Sequence, residues 1–185
     1  MSGRDGKEAL GMELIKPEQK YLQSYYEACL ETWGYVHDGY ILHNPAEYDK
    51  WKTHIFEDYE NQEKGIGLSE GFVSSVTFWA VDGDKYIGTV NIRPELSERL
   101  KEYGGHIGIV IRKSCRKMGY GESFGKMALN KVFQMGVKEV LLTCEETNIG
   151  SRRILEKFNP EKTEKAVVLL NGKQTPVLRY YFKKK

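Results

Sequence analysis

Apolar and polar positions change period several times along the chain, and each change marks an element. Glu13, Leu14 and Ile15 form a short strand candidate that stops at Pro17, a residue suited to opening a helix because its missing N–H would have no partner there. Leu22, Tyr25, Tyr26, Cys29, Leu30 and Trp33 then recur at i, i+3, i+4 spacing, which predicts an amphipathic helix ended by Gly34. A second helix is predicted from Pro45, with Tyr48, Trp51, Ile55 and Tyr59 along one side, until Gly65, Gly67 and Gly71 break the pattern. From Val73 the period becomes two: Val76, Phe78 and Ala80 alternate with Thr77, Trp79 and Val81 up to Asp82-Gly83, a hairpin signal, and the partner strand is Tyr86 to Ile92.

After a charged connection from Glu95 to Tyr103 the pattern predicts a strand over Gly105 to Ile111. A long helix follows, with Phe124, Met127, Ala128, Val132 and Met135 as its stripe and Gly136 as its end. Glu139 to Thr143 reads as the next strand, and Ser151, Ile154, Leu155 and Phe158 as a short helix behind it. Ala166 to Leu170 and Val177 to Phe182 flank Asn171-Gly172, a dipeptide that type I′ hairpins prefer. The order β-α-α-β-β-β-α-β-α-β-β predicts an α/β (α+β) fold. Because both faces of the first hairpin are apolar, the sheet is expected to carry helices on both sides.

Bulk properties narrow the function. A length of 185 residues fits one domain over residues 12–185, and Met1 to Gly11, with three glycines and four charges, reads as a loose leader. A net charge of +2 gives no electrostatic reason to expect a nucleic acid, and Lys183 to Lys185 is the only purely basic run. Cys29, Cys115 and Cys144 suit neither a disulfide framework nor a zinc site, so reduced cytoplasm and no metal are expected. No stretch approaches the roughly 18 apolar residues of a membrane span.

The chemistry is concentrated between Ile107 and Glu122. A strand leads through Arg112 to Cys115 into Arg116-Lys117-Met118-Gly119-Tyr120-Gly121 at the mouth of the long helix. Glycines without a Cβ, unpaired helical N–H groups and the helix dipole together make a cradle for a pyrophosphate, with Arg116 adding positive charge.

Arg-x-x-Gly-x-Gly between a strand and an amphipathic helix resembles the coenzyme A loop of the GNAT acetyltransferases, and the element order agrees along nearly the whole chain. The resemblance implies a GNAT fold with a mixed, mostly antiparallel central sheet of about seven strands. It implies acetyl-CoA as cosubstrate and a primary amine, on a small molecule or a protein, as acceptor. It implies that the strand before the loop splits from its neighbour and pairs with the pantetheine arm through the backbone of Ile109, Val110 and Ile111, with the oxyanion held by amides near Val110 and Ile111. The pyrophosphate maps to Arg116, Lys117, Met118, Gly119, Tyr120 and Gly121, with Glu122 and Ser123 just inside the helix. Asn148 and Ser151 of Asn148-Ile149-Gly150-Ser151 resemble the family's second anchor for the pantetheine arm. Gly104 to Gly108 and Leu142 to Asn148 are similar to a subgroup of predicted acetyltransferases of unassigned acceptor. No membrane partner is implied, and a homodimer is left open.

The chain departs from the family pattern at three positions. Gly105 stands where many members carry a Glu as general base, Leu155 where many carry a Tyr as general acid, and Phe158-Asn159 where Gly-Phe often follows the last helix. Candidates to replace the base are His106, whose ordinary pKa suits proton transfer near neutrality, and Glu145 and Glu146 at the end of the fifth strand. The plain alternatives are a hydrogen-bonded structural histidine and two carboxylates favouring a helix N-terminus. Asn91 and Arg93 close the third strand on the expected acceptor side, where Arg93 could grip a carboxylate or make a structural ion pair. Cys144 has no neighbour in sequence that would activate it as a nucleophile.

Rival readings are weaker. A dinucleotide fingerprint needs a third glycine where Phe124 stands, and no P-loop string occurs. The alternative to an enzyme is a sensor that keeps the coenzyme A cradle without catalysis.

Overall fold

The computed structural model describes residues 11–32 and 42–184, so the predicted leader, Gly11 apart, and the helix end at Trp33 and Gly34 lie outside the described residues. The elements are β1 (Met12–Ile15), α1 (Leu22–Thr32), α2 (Tyr48–Trp51), α3 (Ile55–Lys64), β2 (Val76–Asp82), β3 (Lys85–Ile92), α4 (Glu98–Glu102), β4 (Ile107–Ile111), α5 (Tyr120–Gln134), β5 (Glu139–Glu145), α6 (Ile149–Lys157), β6 (Lys162–Leu170) and β7 (Lys173–Lys183).

The β2–β3 hairpin decides the layering, because its side chains alternate between two cores. Trp79, Val81 and Tyr86 meet Tyr25, Trp51 and Ile55 from α1, α2 and α3 on one face. Phe78, Ala80, Ile87 and Val90 meet Phe124, Ala128 and Val132 of α5 on the other. Helices therefore cover both faces. Tyr25 stacks on Trp79 with ring centroids 4.7 Å apart and 15° between planes, a contact worth about 1 kcal/mol beyond its burial.

Two features differ from the periodicity. The helix predicted from Pro45 is broken into α2 and α3, since Trp51 turns into the core and its Nε1–H donates to the Asn44 carbonyl at 2.7 Å. The expected single sheet is two sheets, antiparallel β1-β2-β3-β4 and antiparallel β5-β7-β6, seven strands among the described residues. The C-terminal hairpin turns where predicted, with Asn171 at φ 50 and Gly172 at φ 77. Its strands outrun the apolar segments because Lys162 pairs with Glu164 beside Tyr181, whose hydroxyl donates to Glu164. Among the described residues no helix is long and apolar enough to cross a membrane.

Candidate active site

The site lies where the two sheets part. The N–H of Arg93 donates to the His106 carbonyl, and the N–H of Arg112 to the Ile87 carbonyl, both at 2.8 Å. With the β3–β4 register, these bonds place Gly108 and Val110 in the pairs that exchange hydrogen bonds with β3. The Val110 carbonyl indeed faces β3, where a Cβ on Gly88 would lie 2.4 Å from it. Ile107, Ile109 and Ile111 therefore turn their N–H and C=O groups away from β3. On the other side, the N–H of Glu146 donates to the Pro176 carbonyl at 2.9 Å, and the β5–β7 register leaves Leu141 and Thr143 facing β4.

The two strand edges meet at His106, and just before it the Gly104 N–H donates to the Thr143 hydroxyl at 2.8 Å. The N–H of His106 donates to the Leu141 carbonyl at 2.8 Å, and the N–H of Leu141 donates to Nδ1 of the His106 ring at 2.9 Å. The ring thus does the work of a strand carbonyl. From there β4 and β5 separate around a cleft of about 280 Å³, walled by β4, Leu142, Thr143 and residues of α5 and α6.

Gly105 explains why the cleft begins there. Its φ is +61, and a Cβ would sit 2.3 Å from the Leu141 carbonyl oxygen, so this position has no room for any side chain. The β4 strand consequently starts at Ile107 rather than at Gly105.

At the other end, Arg116 curls back so that its Nε–H donates to the outward Ile111 carbonyl at 3.0 Å. The chain then passes Lys117 at φ 62 and Gly119 at φ 96 into the N-terminus of α5, which has no side-chain cap. The first N–H groups of α5 have no acceptor within the helix, and its dipole favours an anion there. A Cβ on Gly119 would meet nothing within 4 Å, so the approach is open. Gly121 and Gly125 have a second use that the sequence reading missed. A Cβ at Gly121 would lie 2.8 Å from Ile154 and one at Gly125 3.0 Å from Phe158, so this Gly-x-x-x-Gly spacing lets α6 press onto α5.

Among the expected cofactor residues, Ile109, Val110, Ile111, Arg116, Gly121, Asn148 and Ser151 line the cleft. Asn148 also caps α6, its Oδ1 accepting the Ser151 N–H at 3.1 Å. Lys117, Met118, Gly119, Tyr120, Glu122 and Ser123 are not part of that lining. Met118 is 64% exposed, the Tyr120 hydroxyl donates to Asp82 at 2.9 Å, and Glu122 is paired with Lys157.

The acid–base candidates stand elsewhere. His106 is 8% exposed and, like Glu145 and Glu146, does not line the cleft. Burial pushes its pKa below the ordinary value, the Leu141 carbonyl opposes, and the Arg93 charge lowers it further. Glu146 is paired with Lys165 at 2.6 Å, which holds its carboxyl below the usual range. Glu145 accepts from the Thr147 hydroxyl at 3.4 Å. Asn91 is buried at 3% exposure, donating to Ser75 and Thr77 hydroxyls at 3.0 and 3.2 Å, and is committed to the fold. Cys144 is buried at 1% and lies outside the lining. Arg93 does line the cleft, with Tyr103 and Thr143, which the sequence reading did not single out. The Tyr side chain absent at Leu155 is replaced by an apolar wall.

Known proteins share this fold. The family model described as acetyltransferase (GNAT) domain matches residues 13–159. Among solved structures, RimL, a ribosomal alpha-N-protein acetyltransferase in complex with coenzyme A, superposes with a TM-score of 0.63 at 13% identity, covering 95% of each chain. An acetyl transferase from Salmonella typhimurium that modifies an N-terminal serine of a ribosomal protein gives 0.64 at 12% identity, covering 96% of this chain and 97% of that one. The spermidine/spermine N-acetyltransferase SpeG from Vibrio cholerae gives 0.57 at 15% identity, covering 93% and 94%. No curated protein matches the chain. With the family match spanning most of its length and the split sheet in place, the chain belongs to the GNAT acetyltransferases and is an acyltransferase.

Proposed function

We propose that this protein transfers an acetyl group from acetyl-CoA to a primary amine by direct attack within the cleft. The observation that carries the reading is the row of β4 groups at Ile107, Ile109 and Ile111 turned away from β3, which leads to the uncapped N-terminus of α5. An extended, amide-bearing arm fits such a strand edge, and a pyrophosphate fits the helix end. Arg116 and the N–H groups from Lys117 to Gly121 would hold the phosphates, and Asn148 would contact the arm. The solved complex of RimL with coenzyme A supports the same ligand class.

In the transfer, the amine nitrogen forms a bond to the thioester carbonyl carbon, the carbon–sulfur bond breaks and its electron pair leaves with sulfur. One proton leaves the nitrogen and one is taken up by the thiolate. The outward amides of Ile109 and Ile111 are the donors to the carbonyl oxygen as it gains charge, because the Val110 amide belongs to the β3 ladder. With Gly105 closed to any side chain and no Asp or Glu lining the cleft among the described residues, the amine proton passes to water. Positioning and fixed amide dipoles then supply the acceleration.

Titrating the purified chain with acetyl-CoA, CoA and NADH by calorimetry tests the reading. Binding of both coenzyme A species and not NADH is expected, followed by thiol release with an amine; failure of acetyl-CoA to bind would overturn it. Arg116→Ala is expected to raise the acetyl-CoA dissociation constant by roughly tenfold or more, the worth of one charge-assisted contact. An unchanged constant would remove Arg116 from the cradle.

A further inference from the structure

An ordinary N-cap and a bound anion compete for the same groups. A Ser, Thr, Asp or Asn at the cap turns its own oxygen onto the N–H groups of the first turn, which steadies the helix start and fills the place an anion would take. In α5 the cap position is Gly119 at φ 96, and no side chain makes a cap bond. The first-turn N–H groups therefore stay available, and the helix start has to be held in another way. The loop ahead of it supplies little hold, because Lys117 stands at φ 62 and Met118 is 64% exposed rather than packed into the core.

Two side chains mount this loop at its ends. At the near end the Arg116 Nε–H donates to the Ile111 carbonyl. At the far end Tyr120, the first residue of α5, donates its hydroxyl to Oδ2 of Asp82 at 2.9 Å. Asp82 closes β2 opposite Lys85, at the turn of the hairpin whose two faces are buried in the two cores. The tether thus joins the open start of α5 to a firmly packed part of the sheet. Its acceptor is a carboxylate, which strengthens the bond and raises the pKa of the Tyr120 hydroxyl, so the donor keeps its proton. The bond uses the phenol and none of the backbone N–H groups of the turn it steadies.

Resting on the acetyl transfer proposed above, we propose that Tyr120 is a positioning residue for acetyl-CoA: bound to Asp82, its side chain takes the place of an N-cap and presets the first turn of α5 for the pyrophosphate. The hydroxyl acts through the helix and not on the coenzyme. A preset turn removes an ordering cost that binding would otherwise carry, so cutting the tether weakens binding by the fraction of time the turn spends out of place.

The test reads acetyl-CoA binding to the full chain by calorimetry and needs no acceptor. Tyr120→Phe, which removes only the hydroxyl, is expected to raise the dissociation constant by roughly threefold to tenfold. Asp82→Asn keeps an uncharged acceptor and is expected to fall between wild type and Tyr120→Phe. The double variant should be no worse than Tyr120→Phe alone, since both substitutions cut one bond. Tyr181→Phe is the matched control, because it removes another tyrosine–carboxylate bond, to Glu164 at 2.8 Å on the β6–β7 hairpin. It should lower the urea midpoint without altering the dissociation constant. Hydrogen exchange adds a local readout at Phe124, Gly125 and Lys126, whose N–H groups bond back to the carbonyls of the first turn. Tyr120→Phe should speed exchange there in the unliganded protein, Tyr181→Phe should not, and saturating acetyl-CoA should restore the wild-type rates. An unchanged dissociation constant in Tyr120→Phe overturns the proposal. So does an equal rise in Tyr181→Phe, which would mean that any loss of stability weakens binding, and so do additive losses in the double variant. Failure of the wild-type chain to bind acetyl-CoA is a separate result that strikes the transferase reading and this inference with it. If one tether variant fails to fold by circular dichroism, the other, set against Tyr181→Phe, decides.

Discussion

Gly105→Ala is expected to lower the unfolding free energy by about 2 to 5 kcal/mol, a large share of what holds a domain of this size together. Two costs add. An alanine at φ +61 pays about 1 to 2 kcal/mol for the left-handed backbone. Its Cβ would also stand 2.3 Å from the Leu141 carbonyl oxygen and 3.0 Å from the carbonyl carbon, atoms of a paired strand with no rotamer to swing away. Relieving that contact means pulling β5 from His106, which forces apart the His106–Leu141 joint and costs a further 1 to 3 kcal/mol or so. Gly136→Ala is the control. Its φ of +92 imposes a comparable backbone cost, but a Cβ there meets nothing within 4 Å, so about 1 to 2 kcal/mol is expected. Urea unfolding of the two variants separates contact from backbone strain. Equal losses would mean that the Leu141 carbonyl relaxes freely and that the apex of the cleft is soft.

The same residue shows why part of the site was legible in the sequence and part was not. Local chemistry was readable: Gly119 with its positive φ, the apolar alternation on both faces of the β2–β3 hairpin, and the Asn171-Gly172 turn each follow from a few adjacent residues. The split of the sheet was implied by the family resemblance, but the residues that make it were not legible. It depends on His106 meeting Leu141, a partner 35 residues away, and nothing in the period of either segment announces that meeting. The break between α2 and α3 was hidden for a similar reason, because the Trp51 ring is drawn to the Asn44 carbonyl while the stripe of Tyr48, Trp51, Ile55 and Tyr59 keeps helical spacing. Candidate acids and bases were read from their distance along the chain to the expected reaction centre. In three dimensions Glu146 had Lys165 as a nearer partner and His106 had the Leu141 amide, so closeness in sequence did not bring either into the cleft. Thr143 arrives there because β5 continues past the joint at Leu141 along the cleft wall, a consequence of topology rather than of motif, whereas Arg93 was read as closing the third strand on that side.

His106→Leu is expected to cost about 1 to 3 kcal/mol, because it leaves the inward Leu141 N–H buried with no acceptor, whereas His106→Gln can offer its amide oxygen and lose less. The bond from Leu141 requires Nδ1 to be unprotonated, so the ring carries its proton on Nε2 and must be neutral for the joint to hold. Burial lowers the folded-state pKa below the ordinary value, and Arg93 opposes a second positive charge beside it. The unfolded chain therefore binds more protons than the folded one between the depressed folded pKa and the unfolded value of about 6.5. The stability that His106 contributes is fully present above about 6.5 and is lost as pH falls through that window, by up to about 1.4 kcal/mol per pH unit. His43 is also pushed down by burial and faces the Tyr25 hydroxyl at 2.7 Å and the charge of Asp58, so among the described residues there are two such contributions. His106→Gln removes one and leaves the other, and the difference between the two proteins isolates the joint. Urea midpoints measured from pH 8 down to 5 should converge for wild type and His106→Gln as acid erodes the wild-type advantage. A gap that stays constant across that range would mean that the ring keeps its bond to Leu141 without titrating, and that the sheets are held together at the cleft by something other than a neutral imidazole.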